Sequence, residues 1–246
     1  MKTLRPSIVL TVAVAVSAGC LGTGETRAAS LGATFTGTVK LEGPAPKRAP
    51  ISMAKEPTCA TSHKTPPLTE DVVVGPDGAL QNVVIYISEG LPDTSWEPPA
   101  DPVVLNQNGC SYSPHVIALQ TNQKLKIVNS DKTSHNIHPM PYSNREWNKS
   151  EPPGVPPFEE SFARQEVAIP VKCNVHPWMR AYIAVLRHPY FSVSNESGSF
   201  SIKNLPPGNY TITAWHEKLG TATQKITAAA GESKSLQFVF KARPGA

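Results

Sequence analysis

The stretch that decides the fold is RQEVAIPVKCNVHPWMRAYIAVLRHP, residues 164–189. Its outer parts, RQEVAIPVKC and RAYIAVLRHP, are aliphatic runs of the length that strands have. Between them lies CNVHPWM, a short loop that carries Cys173, His176 and Met179. The stretch therefore predicts two strands joined by a loop with a thiol, an imidazole and a thioether, all of which bind metals.

The rest of the chain is also rich in short strands. Val, Ile and Thr recur in brief alternating runs, 25 of the 246 residues are proline, and no helical pattern persists past a few turns. These features predict an all-β protein with many loops. The net charge of +4 and the 17% of charged residues are too mild for nucleic-acid binding, and no basic run is interleaved with aromatic residues.

The amino-terminal segment, residues 1–29, is typical of a signal peptide. MKTLR is a basic head, and IVLTVAVAVSA is an apolar run too short to span a membrane comfortably. We therefore expect a periplasmic or secreted protein, cleaved after Ala18 or after Ala29. A third option is lipid attachment and membrane anchoring at Cys20, because SAGC resembles a lipoprotein signal.

The remaining cysteines divide into a pair and a single thiol. Cys59 and Cys110 both lie in polar, loop-like surroundings, so they are the natural disulfide pair in an exported protein. A bridge across an interval of this length stabilises by about 2–4 kcal/mol in the chain-entropy account. The alternative is a Cys59–Cys173 bridge, which would leave Cys173 without a free thiol to bind a metal such as copper.

A copper site needs one more imidazole than the loop supplies. A thiolate and an imidazole bind copper strongly, and a thioether can be a weak axial ligand. The segment SHNIH supplies His135 upstream, with a long loop and one strand before Cys173. Zinc is disfavoured, because structural zinc sites have more thiolates or a fourth strong ligand, and the thioether of Met179 is a weak one.

SHNIH followed by CNVHPWM resembles the type 1 (blue) copper proteins, the cupredoxins, and its short ligand loop is most similar to that of amicyanin. The resemblance covers residues 101–189 and implies a Greek-key β-sandwich that holds one copper ion. It also implies that His135, Cys173 and His176 form a trigonal set of ligands and that Met179 is the axial ligand. Asn136 would connect the two ligand loops by hydrogen bonds.

The resemblance further implies where electrons cross the protein surface. Cupredoxins expose the edge of the second histidine ligand in an apolar patch, and in this chain that edge belongs to His176. An apolar rim would surround it, formed by Pro139, Met140, Pro141, Pro177 and Trp178. The alternative for Trp178 is a position in the core, because a single aromatic residue does not mark an interface.

Three other histidines have alternative interpretations. His138, beside the first ligand, either modulates the copper or is a solvated loop residue. His63 and His115 either form a second metal site or are surface histidines held by hydrogen bonds.

The tail resembles a second β family. ESGSFSIKNLPPGNYTITAWH, residues 196–216, is similar to the carboxypeptidase regulatory-like, or transthyretin-like, β-sandwich, which would occupy residues 190–246. The opening strands of that family are missing from the tail, but GTVKLEGPAP and LQNVVIYIS within residues 31–98 look like them. We therefore expect a copper domain inserted into a split sandwich. The alternative is that residues 31–98 pack on the copper domain.

These features predict a one-electron carrier rather than an enzyme. Its partner would be a redox protein such as a c-type cytochrome or a dehydrogenase. The alternatives are a protein of copper storage or delivery, and a structural surface protein with a vestigial copper site. An oxidase or nitrite reductase would need further histidine-rich copper centres, and the chain has no His-x-His pair.

Overall fold

The computed structural model describes residues 31–242, so the expected signal segment 1–29 and Cys20 lie outside the described residues. The predicted all-β class is confirmed. One short helix, α1 (Pro57–Thr61), accompanies the strands. In chain order these are β1 (Ala33–Glu42), β2 (Val84–Glu89), β3 (Val103–Gln107), β4 (Tyr112–Ser113), β5 (Val116–Gln120), β6 (Leu125–Asn129), β7 (His135–Pro139), β8 (Lys149–Glu151), β9 (Phe158–Glu160), β10 (Glu166–Lys172), β11 (Arg180–Leu186), β12 (Phe191–Val193), β13 (Ser199–Leu205), β14 (Gly208–His216), β15 (Gly220–Ala228) and β16 (Ser233–Lys241).

The central part of the chain forms two sheets around one core, which we call the site sandwich. One sheet has the order β5-β11-β10-β7-β8 and the other β4-β3-β6-β9. Leu125, Ile127 and Asn129 of β6 alternate with half-buried lysine and valine, so one face of that strand packs inward. Isoleucines from β7, β10 and β11 complete the core.

The two ends of the chain form a second pair of sheets, which we call the split sandwich. Its sheets have the orders β13-β1-β16 and β12-β2-β14-β15. Strand β1 pairs in parallel with β16 from Thr34↔Ser233 to Glu42↔Lys241, and β2 pairs with β12 and β14. Strands that precede the site sandwich in the chain therefore share sheets with strands that follow it.

A small apolar cluster joins the two sandwiches. It contains Val84 of β2, Val116 of β5, and Ala184 and Leu186 of β11. Because these strands belong to one sheet of each sandwich, the two sheets pack face to face there.

The connection between β1 and β2 extends over the site sandwich. Residues 53–63, which include α1, form what we call the cap. Met53 and Cys59 of the cap are buried in the core of the site sandwich. The strands of segment 31–98 therefore belong to the split sandwich, and the loop between them contacts the site sandwich.

No helix within residues 31–242 is long and apolar enough to cross a membrane.

Candidate metal centre

Three of the predicted ligands meet at one end of the site sandwich. His135 is the first residue of β7, Cys173 follows β10, and His176 lies in the loop between β10 and β11. One donor atom from each lies within 4.8 Å of the other two, and all three residues are buried. The long connection between β7 and β10 contains β8 and β9, and its two ends lie close together because β7 and β10 are neighbours in one sheet.

The imidazole rings of His135 and His176 point their Nδ1 atoms at each other. Nδ1 of His135 lies 2.9 Å from Nδ1 of His176. On its far side, Nε2 of His135 lies 2.8 Å from a carboxylate oxygen of Asp131, so Nε2–H donates there. This bond holds the tautomer in which Nδ1 faces Cys173 and His176, as carboxylates commonly do for metal-binding histidines.

Asn136 connects the two ligand loops. Its side-chain oxygen accepts from the backbone N–H of Asn174 at 2.6 Å and from the thiol of Cys173 at 3.3 Å. Its Nδ2 donates to Asn148 at 2.7 Å. The backbone N–H of His176 points at the Cys173 sulfur from 3.4 Å. Asn136 therefore bonds to Cys173 and to the residue after it, and its role beside a metal ligand stays a prediction.

The electrostatics of the cluster favour a thiolate. Burial raises the pKa of Cys173, but hydrogen bonds from His135 and from backbone N–H groups outweigh it, so the pKa is lowered from 9.0. Burial lowers the pKa of His135, but its contacts with Cys173 and Asp131 raise it on balance. Burial and the charge of His135 both lower the pKa of His176.

Met179, the expected axial ligand, lies at the end of the same loop. It is buried, its N–H donates to the carbonyl of His176 at 2.9 Å, and its carbonyl accepts from the N–H of Cys173 at 3.2 Å. These bonds close the loop into a compact turn between β10 and β11. Met179 packs in the same core cluster as Cys173.

The disulfide joins Cys59 of the cap to Cys110. Cys173 is a free thiol, so the alternative Cys59–Cys173 bridge is absent. Within residues 31–242, two further groups of metal-binding side chains include Cys110, and one of them also includes Cys59. The two sulfurs are bonded to each other and offer no thiolate.

The expected exposure of the His176 edge is wrong. His176 is only 1% exposed, because the cap covers it. Its Nε2 lies 3.6 Å from the sulfur of Cys59 and 3.9 Å from the carboxylate of Glu56. Nothing in the ligand loop indicates this cover, which comes from a segment 117 residues away in the chain.

Trp178 belongs to the core rather than to an exposed rim. It is half-buried against the site-sandwich core, and its Nε1–H donates to the carbonyl of Cys110 at 3.1 Å. Its ring lies 5.1 Å from the His176 ring, centroid to centroid. Trp178 therefore connects the loop between β10 and β11 to the loop that contains Cys110.

The remaining histidines have separate partners. His138 contacts Glu146 at 2.6 Å and Asn174 at 3.2 Å. His63, part of the cap, donates from Nε2 to the carbonyl of Gly109 at 2.7 Å. Within residues 31–242, no group of three metal-binding side chains includes both His63 and His115.

Sequence reasoning missed Asp131 and Tyr112. Asp131 accepts from the backbone N–H groups of Gly109 and Cys110 at 2.6 and 2.8 Å, so one carboxylate connects His135 to the disulfide loop. The Tyr112 hydroxyl reaches the carbonyls of Asn136 and Lys172 at 2.6 and 3.1 Å. The position of Asp131, four residues before His135 in a polar turn, is the signal that could have identified it.

Comparison with known proteins finds one family model and several solved structures that are similar to parts of the chain. Residues 177–241 match the model of the carboxypeptidase regulatory-like domain. This match begins inside the ligand loop and includes β11, which pairs with β5 and β10 of the site sandwich. No curated protein matches the chain.

Three solved structures are similar to part of this chain. A copper-containing nitrite reductase from Thermus scotoductus SA-01 has 16% identity and a TM-score of 0.33, over 40% of this chain and 25% of its own. A purple cupredoxin from Nitrosopumilus maritimus has 20% identity and a TM-score of 0.29, over 34% of this chain and 98% of its own. An amicyanin variant in the Cu(I) form has 16% identity and a TM-score of 0.30, over 40% and 99%. The chain spans about a quarter of the nitrite reductase that it matches.

Proposed function

We propose that this chain is an exported copper protein that carries one electron at a time between redox partners and transforms no substrate. The observation that supports the proposal is the cluster itself. Two imidazole Nδ1 atoms and one thiol from His135, His176 and Cys173 lie within 4.8 Å of one another in a buried position.

This donor set fits copper. The Nδ1 atoms of His135 and His176 are 2.9 Å apart, a span that two nitrogens can have when each lies about 2 Å from one ion. A thiolate with two imidazoles is the trigonal set of electron-transfer copper sites, and Met179 would be the weak axial ligand. Bound copper would supply a one-electron couple.

The protein residues around the cluster support a carrier more than an exchanger of metal. Asp131 fixes the orientation of His135, and Asn136 fixes the loop of Cys173, so the donors are held in place. Ligands held rigidly keep a similar geometry in both oxidation states. The cap covers His176, so rapid transfer of the metal to another protein would first need the cap to open.

The location and the partner are part of the same proposal. The Cys59–Cys110 disulfide supports an oxidising compartment such as the periplasm or the cell exterior. We propose a c-type cytochrome or a dehydrogenase as the class of partner, since a single copper ion exchanges one electron with such proteins.

The test is copper titration of the purified mature protein followed by visible absorption and voltammetry. We expect the intense thiolate-to-copper band of blue copper sites and a reversible one-electron wave. Cys173→Ser should abolish the band and leave circular dichroism unchanged, because Cys173 is in no disulfide. Met179→Leu is the matched control, which removes a buried loop side chain of the same cluster but no strong ligand, so the band should remain.

Two results would contradict the proposal. A wild-type protein that stays colourless with Cu(II) and binds only Cu(I) would indicate delivery instead. A band that survives Cys173→Ser would show that the sulfur donor is not Cys173.

A further inference from the structure

The covered His176 edge leaves open where a redox partner approaches the cluster. The cap places the Cys59–Cys110 disulfide and Glu56 over Nε2 of His176. A partner that approaches from this side meets the cap rather than the imidazole. The other strong donor, the thiol of Cys173, belongs to a residue that is buried but lines a surface groove.

A groove lined in part by Cys173 contains no residue of the cap. We call it the Cys173 groove; its volume is about 490 Å³, and its lining includes Met140, Lys172, Cys173, Pro177, Arg180 and Tyr182. Met140 follows β7 and Pro177 lies in the loop between β10 and β11, so the groove lies beside the end of β10 and the start of β11.

The rim of the groove is positively charged. Lys172 and Arg180 face each other as partners in the β10–β11 ladder. Within residues 31–242 neither side chain is in an ion pair, and no acidic side chain lines the groove. On the other side of Arg180 a separate cavity contains Glu70, Asp71 and Glu217, which lie outside the groove. The groove itself therefore offers two cations that form no ion pair, while the carboxylates nearest to Arg180 line the neighbouring cavity. A cationic rim of this kind favours acidic partners.

We infer that the Cys173 groove is the docking surface for the acidic face of the redox partner, and that the His176 edge is not. The inference rests on the proposed function for the identity of the partner as a redox protein. Apolar Met140, Pro177 and Tyr182 would exclude water at the contact, and Lys172 and Arg180 would steer and orient the acidic side chains of the partner.

The first test uses the copper-free protein, so it does not depend on the metal. A hexaglutamate peptide is titrated into isotopically labelled protein, and backbone chemical shifts are followed by NMR. We expect salt-sensitive shifts that centre on residues 170–182 and that weaken in Lys172→Gln. In the matched control Lys55→Gln, a change at an exposed lysine of the cap, the shifts should remain. Shifts centred on residues 53–63, or no shifts at all, would overturn the docking surface.

The second test measures electron exchange with small charged oxidants. Reduced copper-loaded protein is mixed with hexacyanoferrate(III), a trianion that takes one electron and becomes hexacyanoferrate(II). At low ionic strength, Lys172→Glu should slow this oxidation by about an order of magnitude and accelerate oxidation by a cationic cobalt(III) complex. Lys55→Glu should leave both rates unchanged. Retention of the visible band in each variant shows that the copper site is intact.

The outcomes separate the two proposals. If the wild-type protein lacks the band and the reversible wave, the proposed function fails, whatever the peptide titration shows. If the band is present but the rates respond to Lys55 and not to Lys172, only the docking surface fails. Sedimentation that shows a dimer disrupted by Lys172→Glu would assign the groove to a second copy of the chain and would also overturn the inference.

Discussion

At the scale of single residues, the candidate site is organised by two polar side chains outside the proposed ligand set. Asp131 orients His135 and also accepts from the loop that contains Cys110. Asn136, adjacent to His135, reaches across to Asn174 and Cys173. Each of these residues links one ligand to a different part of the chain, so the positions of the donors depend on them.

Asn136→Ala should weaken copper binding by about 10- to 100-fold, because the loop of Cys173 loses its link to β7. The backbone N–H of Asn174 also loses its acceptor, which should lower the free energy of unfolding by about 1–3 kcal/mol. Competition with a copper chelator and urea denaturation measure the two effects. Asn148→Ala is the matched control, since it removes only the outer partner of Asn136 and should change copper affinity little. Equal losses in both variants would contradict the role given to Asn136.

At the scale of elements, the cap is a short segment held by one covalent bond and a few contacts. Helix α1 has only five residues, and no side chain caps its amino terminus. An isolated helix of this length is unstable in water, so its position depends on tertiary contacts. The disulfide to Cys110, the buried side chain of Met53 and the His63–Gly109 bond provide those contacts.

Removing the disulfide with Cys59→Ser and Cys110→Ser should therefore release the cap. The free energy of unfolding should fall by about 2–4 kcal/mol, since the bridge closes a loop between residues 51 apart in sequence. His176 should become reactive towards diethyl pyrocarbonate, as measured by mass spectrometry. His188, which is equally buried but lies outside the site sandwich core, serves as the internal control and should stay protected. If His176 remains as protected as in the wild type, the disulfide is not what holds the cap closed.

At the scale of the whole molecule, the two sandwiches are joined by apolar and charged contacts. Tyr182 of β11 packs against Trp215 of β14, with ring centroids 5.5 Å apart. His115, before β5, contacts the carboxylate of Glu217, which follows β14. From the strand pairings we propose that the site sandwich is an insertion in the split sandwich. Among the strands of residues 31–242, β1 and β2 pair only with strands that follow β11 in the chain.

The His115–Glu217 pair predicts a pH dependence of stability. Burial lowers the pKa of His115, but the hydrogen bond and charge of Glu217, with the charge of Glu70, raise it above 6.5 on balance. A raised folded-state pKa stabilises the fold fully below the unfolded pKa, and this contribution is lost as pH rises through the folded pKa. The stability advantage of the wild type over Glu217→Gln should therefore be largest below pH 6.5 and shrink at higher pH.

Urea denaturation of both proteins over a series of pH values measures this difference. His216 also faces His115, but burial, together with the charges of His115 and Lys218, lowers the pKa of His216 to about 4. It therefore stays neutral over the range in which His115 titrates. A difference between wild type and Glu217→Gln that stays constant with pH would show that the pair is held by packing and not by charge.

The parts of the site that the sequence predicted are the local ones. Cys173, His176 and Met179 are within seven residues, so a β10–loop–β11 arrangement is enough to place them in one turn. His135 could be chosen because its residue type completes the donor set, and the folded chain brings its Nδ1 to 2.9 Å from that of His176. Their role as copper ligands stays a prediction.

The sequence by itself determined the all-β class, the ligand loop and the family likeness of the tail, because alternation, turn residues and short spacings act over a few neighbours. Only the tertiary structure decided that residues 53–63 cover His176, that Asp131 orients His135, and that Lys172 and Arg180 rim a groove beside Cys173. It also decided the nine-pair parallel ladder of β1 and β16. The reason is that most of these contacts join segments far apart in the chain, while Lys172 and Arg180 lie on the two sides of one loop. Their geometry depends on how whole sheets pack rather than on any local pattern.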